Sequence, residues 1–470
     1  MYKEQIEKYI EDHKVEMIED IKKLMCINSE RGEALEGKPY GEGAAECLKV
    51  AKEMIASYGF DTKNYDNYVI TADLNDKEKQ LDVLAHLDVV PAGDDWTVTK
   101  PYEPLVVDGR IYGRGSSDDK GPAVAALYAM RAVKELDLPV NKNVRLILGS
   151  DEECGSSDIE HYYNIEKEAP MTFSPDAEFP VINIEKGGLQ SGFEVQFKEC
   201  EKLPRILKIK GGDKINVVPG KAYALVEGLN KNVIEEIAKE VSAVTKVVYD
   251  VEVEDENKKI VKINSKGVPC HASTPELGNN AITGLLQLLV KLPIEDSVGF
   301  EKVKSINSLF DHNDYDGISL GVNMEDELSG KLTICLSIID FDLTKFTGSF
   351  DCRAPLCATN ENLRDVIKEK MDKANIKLND NDVYEGHHVD GESDFVKTLL
   401  SCYETYSGRA GKAIAIGGGT YVHHLNNGVA FGCADLDLDN HMHGADEFAE
   451  IDALVMSAKI FAEAIVRLCK

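Results

Sequence analysis

Apolar residues recur along this chain in two textures, and the change between them predicts its organisation. Up to about residue 188, short strand-like apolar runs alternate with helical patterns. LDVLAHLDVV (81–90) is followed by a helix from about Pro122 to Leu136, then by VRLILGSDEE (144–153). Strands alternating with helices predict an α/β domain with a mostly parallel sheet flanked by helices. Pro122 belongs in a first helical turn, where its missing N–H costs nothing, so that helix starts just after the Asp-rich loop GRGSSDDKG. Over 189–384 the texture shifts to shorter strand-like runs (ILKIKG, YALVEGL, KLTICLSIIDFD, FTGSFDCR) between charged amphipathic helices, which predicts an inserted α+β domain. Residues 385–470, ending in the helix IDALVMSAKIFAEAIVRLCK, restore the first texture. The predicted plan is one domain in two segments, 1–188 and 385–470, with a second domain inserted between them.

A chain of 470 residues exceeds what a single core supports, which agrees with two domains. Its 43% hydrophobic and 29% charged content is that of an ordinary globular protein. The amino-terminal MYKEQIEKYIEDHKVEMIEDIKKLM reads as a charged amphipathic helix without the apolar centre of a signal peptide. No stretch approaches eighteen apolar residues, so a cytoplasmic location is expected. Eleven cysteines without a Cys-x-x-Cys pair fit a reducing compartment. A net charge of −30 argues against nucleic acid and anionic membrane as partners. Most of that acidity reads as solvated helix faces, at residues such as Glu53 and Glu236.

The acidic residues that matter lie where apolar strands run out into polar turns, the edge at which open α/β sheets bind ligands. His86 and Asp88 close LDVLAHLDVV, Asp118 and Asp119 sit in GRGSSDDKG, Glu152 and Glu153 close VRLILGSDEE, and Asp176 follows MTFSP. So many carboxylates on one rim would raise one another's pKa unless cations separate them. Imidazole and carboxylate without thiolate suits zinc first, with manganese or cobalt as alternatives.

HLDVVPAGDDW, GRGSSDDKGP, DEECGSSD, SPDAEFP, HASTPELGNNA and HMHGADE, in this order, resemble the co-catalytic metallopeptidases of the M20 family. GRGSSDDKGP, GGGTY and the long insertion are closest to its PepV-type bacterial dipeptidases. The resemblance implies two divalent metal ions, with His86 and Asp176 on one, Glu153 and His443 on the other, and Asp118 bridging. His443 is preferred to His441 because it precedes Glu447 by four positions. Glu152 would be the general base and Asp88 the acceptor that orients the His86 ring. The peptide bond after the bridging aspartate would be cis.

By the same resemblance the insertion is a lid of the doubled, monomeric kind. His271 would stabilise the oxyanion, and Asn216 and Arg353 would meet the substrate's carbonyl and carboxylate. Gly417, Gly418, Gly419 and Thr420 would offer backbone N–H groups to that carboxylate. A site that reads both ends of a short peptide measures length, so the expected substrate is a dipeptide. The rival activity is an N-acyl-amino-acid deacylase on the same site. A catalytically silent metal-binding relative would need a lost base or ligand, and none is lost. Cys154 and Cys270 adjoin motif residues, and His387–His388 and His423–His424 look like metal pairs, but all read as structural.

Overall fold

The structure, a computed structural model, describes residues 2–435 and 438–470. It divides into two compact units: Met1–Ile184 with His387–Ala415 and Gly419–Lys470, and Glu185–Gly386 with Ile416–Gly418. Residues 416–418, expected in the outer segment, group with the second unit. There the Ile416 carbonyl accepts from Lys186 N–H and the Gly417 carbonyl from Arg353.

In the first unit the strands run in the order 61–65, 69–73, 143–149, 79–86, 171–174, 428–430, 181–185 and 387–388, with 413–416 also paired to 181–185. The central pairings are parallel and the 61–65, 69–73 margin is antiparallel. Leu81–His86 and Asn143–Gly149 are buried throughout, the continuous apolar run that a strand covered on both faces requires. The two charges in that core are cross-strand neighbours. Arg145 Nε and Nη2 donate to Asp82 Oδ1 and Oδ2 at 2.8 and 2.6 Å, so neither is buried alone. Helix Lys120–Glu135 is buried from Lys120 to Val133 and packs on the closing helix Ile451–Leu468. The amino-terminal pattern resolves into two helices, Lys3–Asp12 and Lys14–Met25, separated at His13.

The second unit is an eight-stranded antiparallel sheet in the order 248–255, 260–266, 221–227, 205–211, 333–341, 345–354, 187–196 and 377–378. Its helices Lys231–Thr245, Ala281–Leu289 and Val298–Leu309 join Ile263, Leu336 and Phe346 in one apolar core. Asn280, from the HASTPELGNNA motif, starts the Ala281–Leu289 helix. Its Oδ1 accepts from Ile282 and Thr283 N–H at 2.9 and 3.1 Å, and its Nδ2 donates to the Leu336 carbonyl at 2.8 Å. Asn280→Ala is therefore expected to cost about 1 kcal/mol through the lost cap. Urea unfolding would reveal it as a lowered midpoint with an unchanged slope.

Candidate metal centre

His86 ends its strand opposite Gly149, the last residue of the neighbouring one. A side chain at Gly149 would collide with the Tyr421 hydroxyl and the Asp158 carboxylate, which explains the glycine. Beyond it the chain leaves the sheet, so Glu152 and Glu153 lie in a 3₁₀ turn, Glu152–Cys154, and not on a strand end. Two buried carboxylates hold that turn. Asp158 accepts from Ser150 and Asp151 N–H, and Asp88 accepts from Glu152 and Glu153 N–H at 3.2 and 3.1 Å. The His86 ring faces Asp88 as well, through both its backbone carbonyl and its carboxylate. Nδ1 finds the Asp88 backbone carbonyl at 3.0 Å, with the carboxylate farther, at 3.4 Å.

Asp118 precedes its helix in the Asp-rich loop, and the Asp118–Asp119 peptide bond is cis. The two aspartates do different things. Asp119 Oδ2 accepts from the His86 backbone N–H at 3.0 Å, which ties the loop to the strand end. Asp118 turns one oxygen to each side: Oδ1 is 2.8 Å from His86 Nε2 and Oδ2 is 2.8 Å from His443 Nε2. Asp176 Oδ2 lies 3.5 Å from His86 Nε2, and Glu153 Oε1 lies 3.2 Å from His443 Nε2. Two donor groups result, His86–Asp118–Asp176 and Asp118–Glu153–His443, each with its atoms within 4.8 Å of one another. Asp118 is common to both, and Glu152 belongs to neither.

The donor set fits metal ions. His86 Nε2 and Glu153 Oε1 are buried without a well-formed hydrogen bond, a costly condition that coordination would relieve. The electrostatics agree. Burial, then the neighbouring Asp118, pushes Glu153 up to about 7. Burial, with Asp176, Glu153 and Asp118 nearby, raises Glu152 well above the usual carboxylate range. Burial works against the charge on His443, but Asp118 and Glu153 outweigh it and raise the ring to about 11. Asp118 is lowered despite its burial, because both imidazoles face it. Carboxylates raised by one another around imidazoles drawn toward the cationic form mark a place that favours positive charge. His443 leaves 46% of its side chain exposed, whereas His86 is fully buried, so solvent reaches the centre from the His443 side.

The remaining expected residues fall mainly in the second unit. His271 lies in a two-residue strand, Cys270–His271, paired with Val217–Val218. Its Nδ1 is 2.6 Å from Ser273 Oγ, and the Asn216 carbonyl accepts from Ala272 N–H at 2.9 Å. Arg353 presents no free fork. Nε and Nη2 donate to Asp351 at 2.7 and 2.9 Å, and Nη1 donates to the Gly417 carbonyl at 2.7 Å. A Cβ on Gly417 would come within 2.8 Å of the Ser273 Cβ, so close approach requires glycine there, while Gly418 has room. Asn216, His271, Arg353 and Gly417 thus form one neighbourhood through Ser273 and the 216–218 segment. Gly419 begins the stretch that returns to the first unit, and Thr420 caps a 3₁₀ turn by accepting from Val422 N–H at 3.3 Å. His387 is spent on the Gly428 carbonyl at 2.6 Å. Residues that sequence reasoning passed over are Asp158, Tyr421, Asp351 and the structural role of Glu447. The last two had a signal, since Asp351 lies two residues before Arg353 and Glu447 closes HMHGADE.

Fold and centre together define a hydrolase of the metallopeptidase class. The chain belongs to peptidase family M20/M25/M40, whose family model matches residues 83–467. It is 34% identical to the putative dipeptidase YtjP of Bacillus subtilis, over 97% of this chain and 98% of that protein. It is 32% identical to the Beta-Ala-Xaa dipeptidase of Lactobacillus delbrueckii subsp. lactis, over 97% and 96%. Among solved structures, human carnosine dipeptidase 1 shares the fold with a TM-score of 0.61 at 15% identity, covering 100% of this chain and 99% of that one. No helix among the described residues is long and apolar enough to cross a membrane.

Proposed function

We propose that the protein is a dinuclear dipeptidase that cleaves the peptide bond of dipeptides. The observation that carries this reading is Asp118, whose two oxygens each face a different imidazole, His86 on one side and His443 on the other. His86, Asp118 and Asp176 would hold one divalent ion, and Asp118, Glu153 and His443 the other. Zinc is the first choice, with manganese or cobalt as alternatives. When bound, such a pair polarises the scissile carbonyl and acidifies the attacking water.

The chain's own residues do the rest. Glu152, outside both donor groups, takes the proton from the water and returns it to the leaving amine. Asp88 holds Glu152 and Glu153 at a fixed spacing through their N–H groups, and its carbonyl fixes the His86 tautomer. His271 and Asn216 serve the carbonyl oxygen. The Gly417–Thr420 segment, its first carbonyl anchored by Arg353, serves the terminal carboxylate, and acidic groups hold the substrate's amine. The dipeptidase names of the relatives at 34% and 32% identity support the substrate class. A monomer is supported by the edge strand Val248–Asp255, where exposed Asp250, Glu252 and Glu254 would repel a second copy.

The test is kcat/KM for one dipeptide, its C-terminal amide and its N-acetyl form. Each charge-assisted bond lost is worth roughly 1.5–3 kcal/mol, so the amide should be cleaved about ten- to a hundred-fold less efficiently per bond. The penalty should shrink in Arg353→Ala. Preference for the N-acetyl substrate would reassign the activity to a deacylase.

A further inference from the structure

Glu447 has no accessible surface, and its carboxylate gathers donors from a single short stretch of chain. Oε2 accepts from Arg114 Nη1 at 2.6 Å and Gly115 N–H at 3.2 Å. Oε1 accepts from Ser117 N–H at 2.9 Å and Asp118 N–H at 3.3 Å. The Glu447 carbonyl also accepts from Gly113 N–H at 2.9 Å. Nearby, Asn440 Nδ2 donates to Ser117 Oγ at 2.6 Å, and Asp446 Oδ1 accepts from Thr97 and Val98 N–H at 2.8 Å each. Phe448–Glu450 then pairs antiparallel with Arg110–Tyr112. The His443 loop and the Asp118 loop are thus one knitted body with Glu447 at its centre.

The His443 loop needs such a fixture. His441, His443 and Asp446 have φ of 58°, 63° and 58°, the left-handed region that residues other than glycine adopt only where their surroundings impose it. His86 and Asp176 depend on other supports, the strands Lys79–His86 and Met171–Ser174, which Glu447 does not touch.

We propose that Glu447 is a positioning residue that sets Asp118 and His443 as a pair, so that it governs affinity for the ion on the Glu153–His443 side, which takes two ligands from the joined loops, more strongly than for the ion on the His86–Asp176 side, which takes only Asp118 from them. A carboxylate is required because every group converging on both of its oxygens is a donor. An amide would have to turn its NH₂ against either Arg114 and Gly115 or Ser117 and Asp118. The inference rests on the ligand assignment proposed above.

Zinc titration calorimetry on the full-length, chelator-treated protein tests it. Wild type should bind two ions. Glu447→Gln should bind one ion 10- to 100-fold more weakly, the usual consequence of removing an outer-shell partner of a ligand, and the other with a clearly smaller loss. With one equivalent of cobalt(II), its absorption spectrum should match that of His443→Ala. Equal weakening of both ions, together with a lower unfolding midpoint, would indicate a structural role only and overturn the inference. So would wild-type affinity at both positions. Fewer than two ions on wild type would overturn the ligand assignment, and the inference with it. If Glu447→Gln does not fold, Arg114→Met/Glu447→Gln removes the uncompensated charge and is judged by the same criteria.

Discussion

Glu152→Ala keeps both ions and loses dipeptide hydrolysis by about 100- to 10,000-fold, the contribution typical of a positioned acid–base group. The expectation follows from placement. Glu152 lies outside both donor groups, so its removal takes no ligand from either ion. Its backbone N–H stays on Asp88, so the turn that presents Glu153 survives. Metal content by elemental mass spectrometry, set beside kcat on one dipeptide, separates the two effects. A variant that turns over at the wild-type rate would remove Glu152 from the mechanism. One that loses an ion would make it a ligand.

Asp118→Ala is expected to act in the opposite way, with metal content falling at both positions and hydrolysis dropping to background. No other residue is shared by the two groups, and without it two cations would face each other with no intervening charge. Asp119→Ala is the control. Asp119 supports the His86 strand end through a backbone hydrogen bond and should retain more metal. The reverse order between these neighbours would exchange their roles.

A mostly parallel sheet and a rim of carboxylates were legible because they follow local rules: strands end at polar turns, and carboxylates collected at one rim call for cations; which of them would hold each ion came from the family resemblance. Other features were decided by partners far away in the chain. Glu152 and Glu153 read as the end of a strand, but the strand stops at Gly149, where Tyr421 and Asp158 press against it. Arg353 was expected to meet a substrate carboxylate, but the Gly417 carbonyl, 64 residues later, takes one of its donors and Asp351 takes two others. Asp88 read as the partner of an imidazole alone, and its carboxylate also accepts from two N–H groups 64 and 65 residues later. Glu447 served only as a landmark for counting to His443, since its donors lie some 330 residues earlier.

The strand Gly428–Ala430 has a consequence for how the molecule is made. It lies between Met171–Ser174 and Val181–Glu185 in the first sheet, yet it leaves the ribosome long after both. At 5–20 residues per second, the roughly 250 intervening residues take on the order of 12–50 s to synthesise. During that interval the two strand edges that will flank it wait without it, and by its end every strand of the 185–386 unit, the last ending at Leu378, has been made. The insertion is therefore complete before its host. His443 arrives later still, so a growing chain carries the full His86–Asp118–Asp176 group well before it carries the second one.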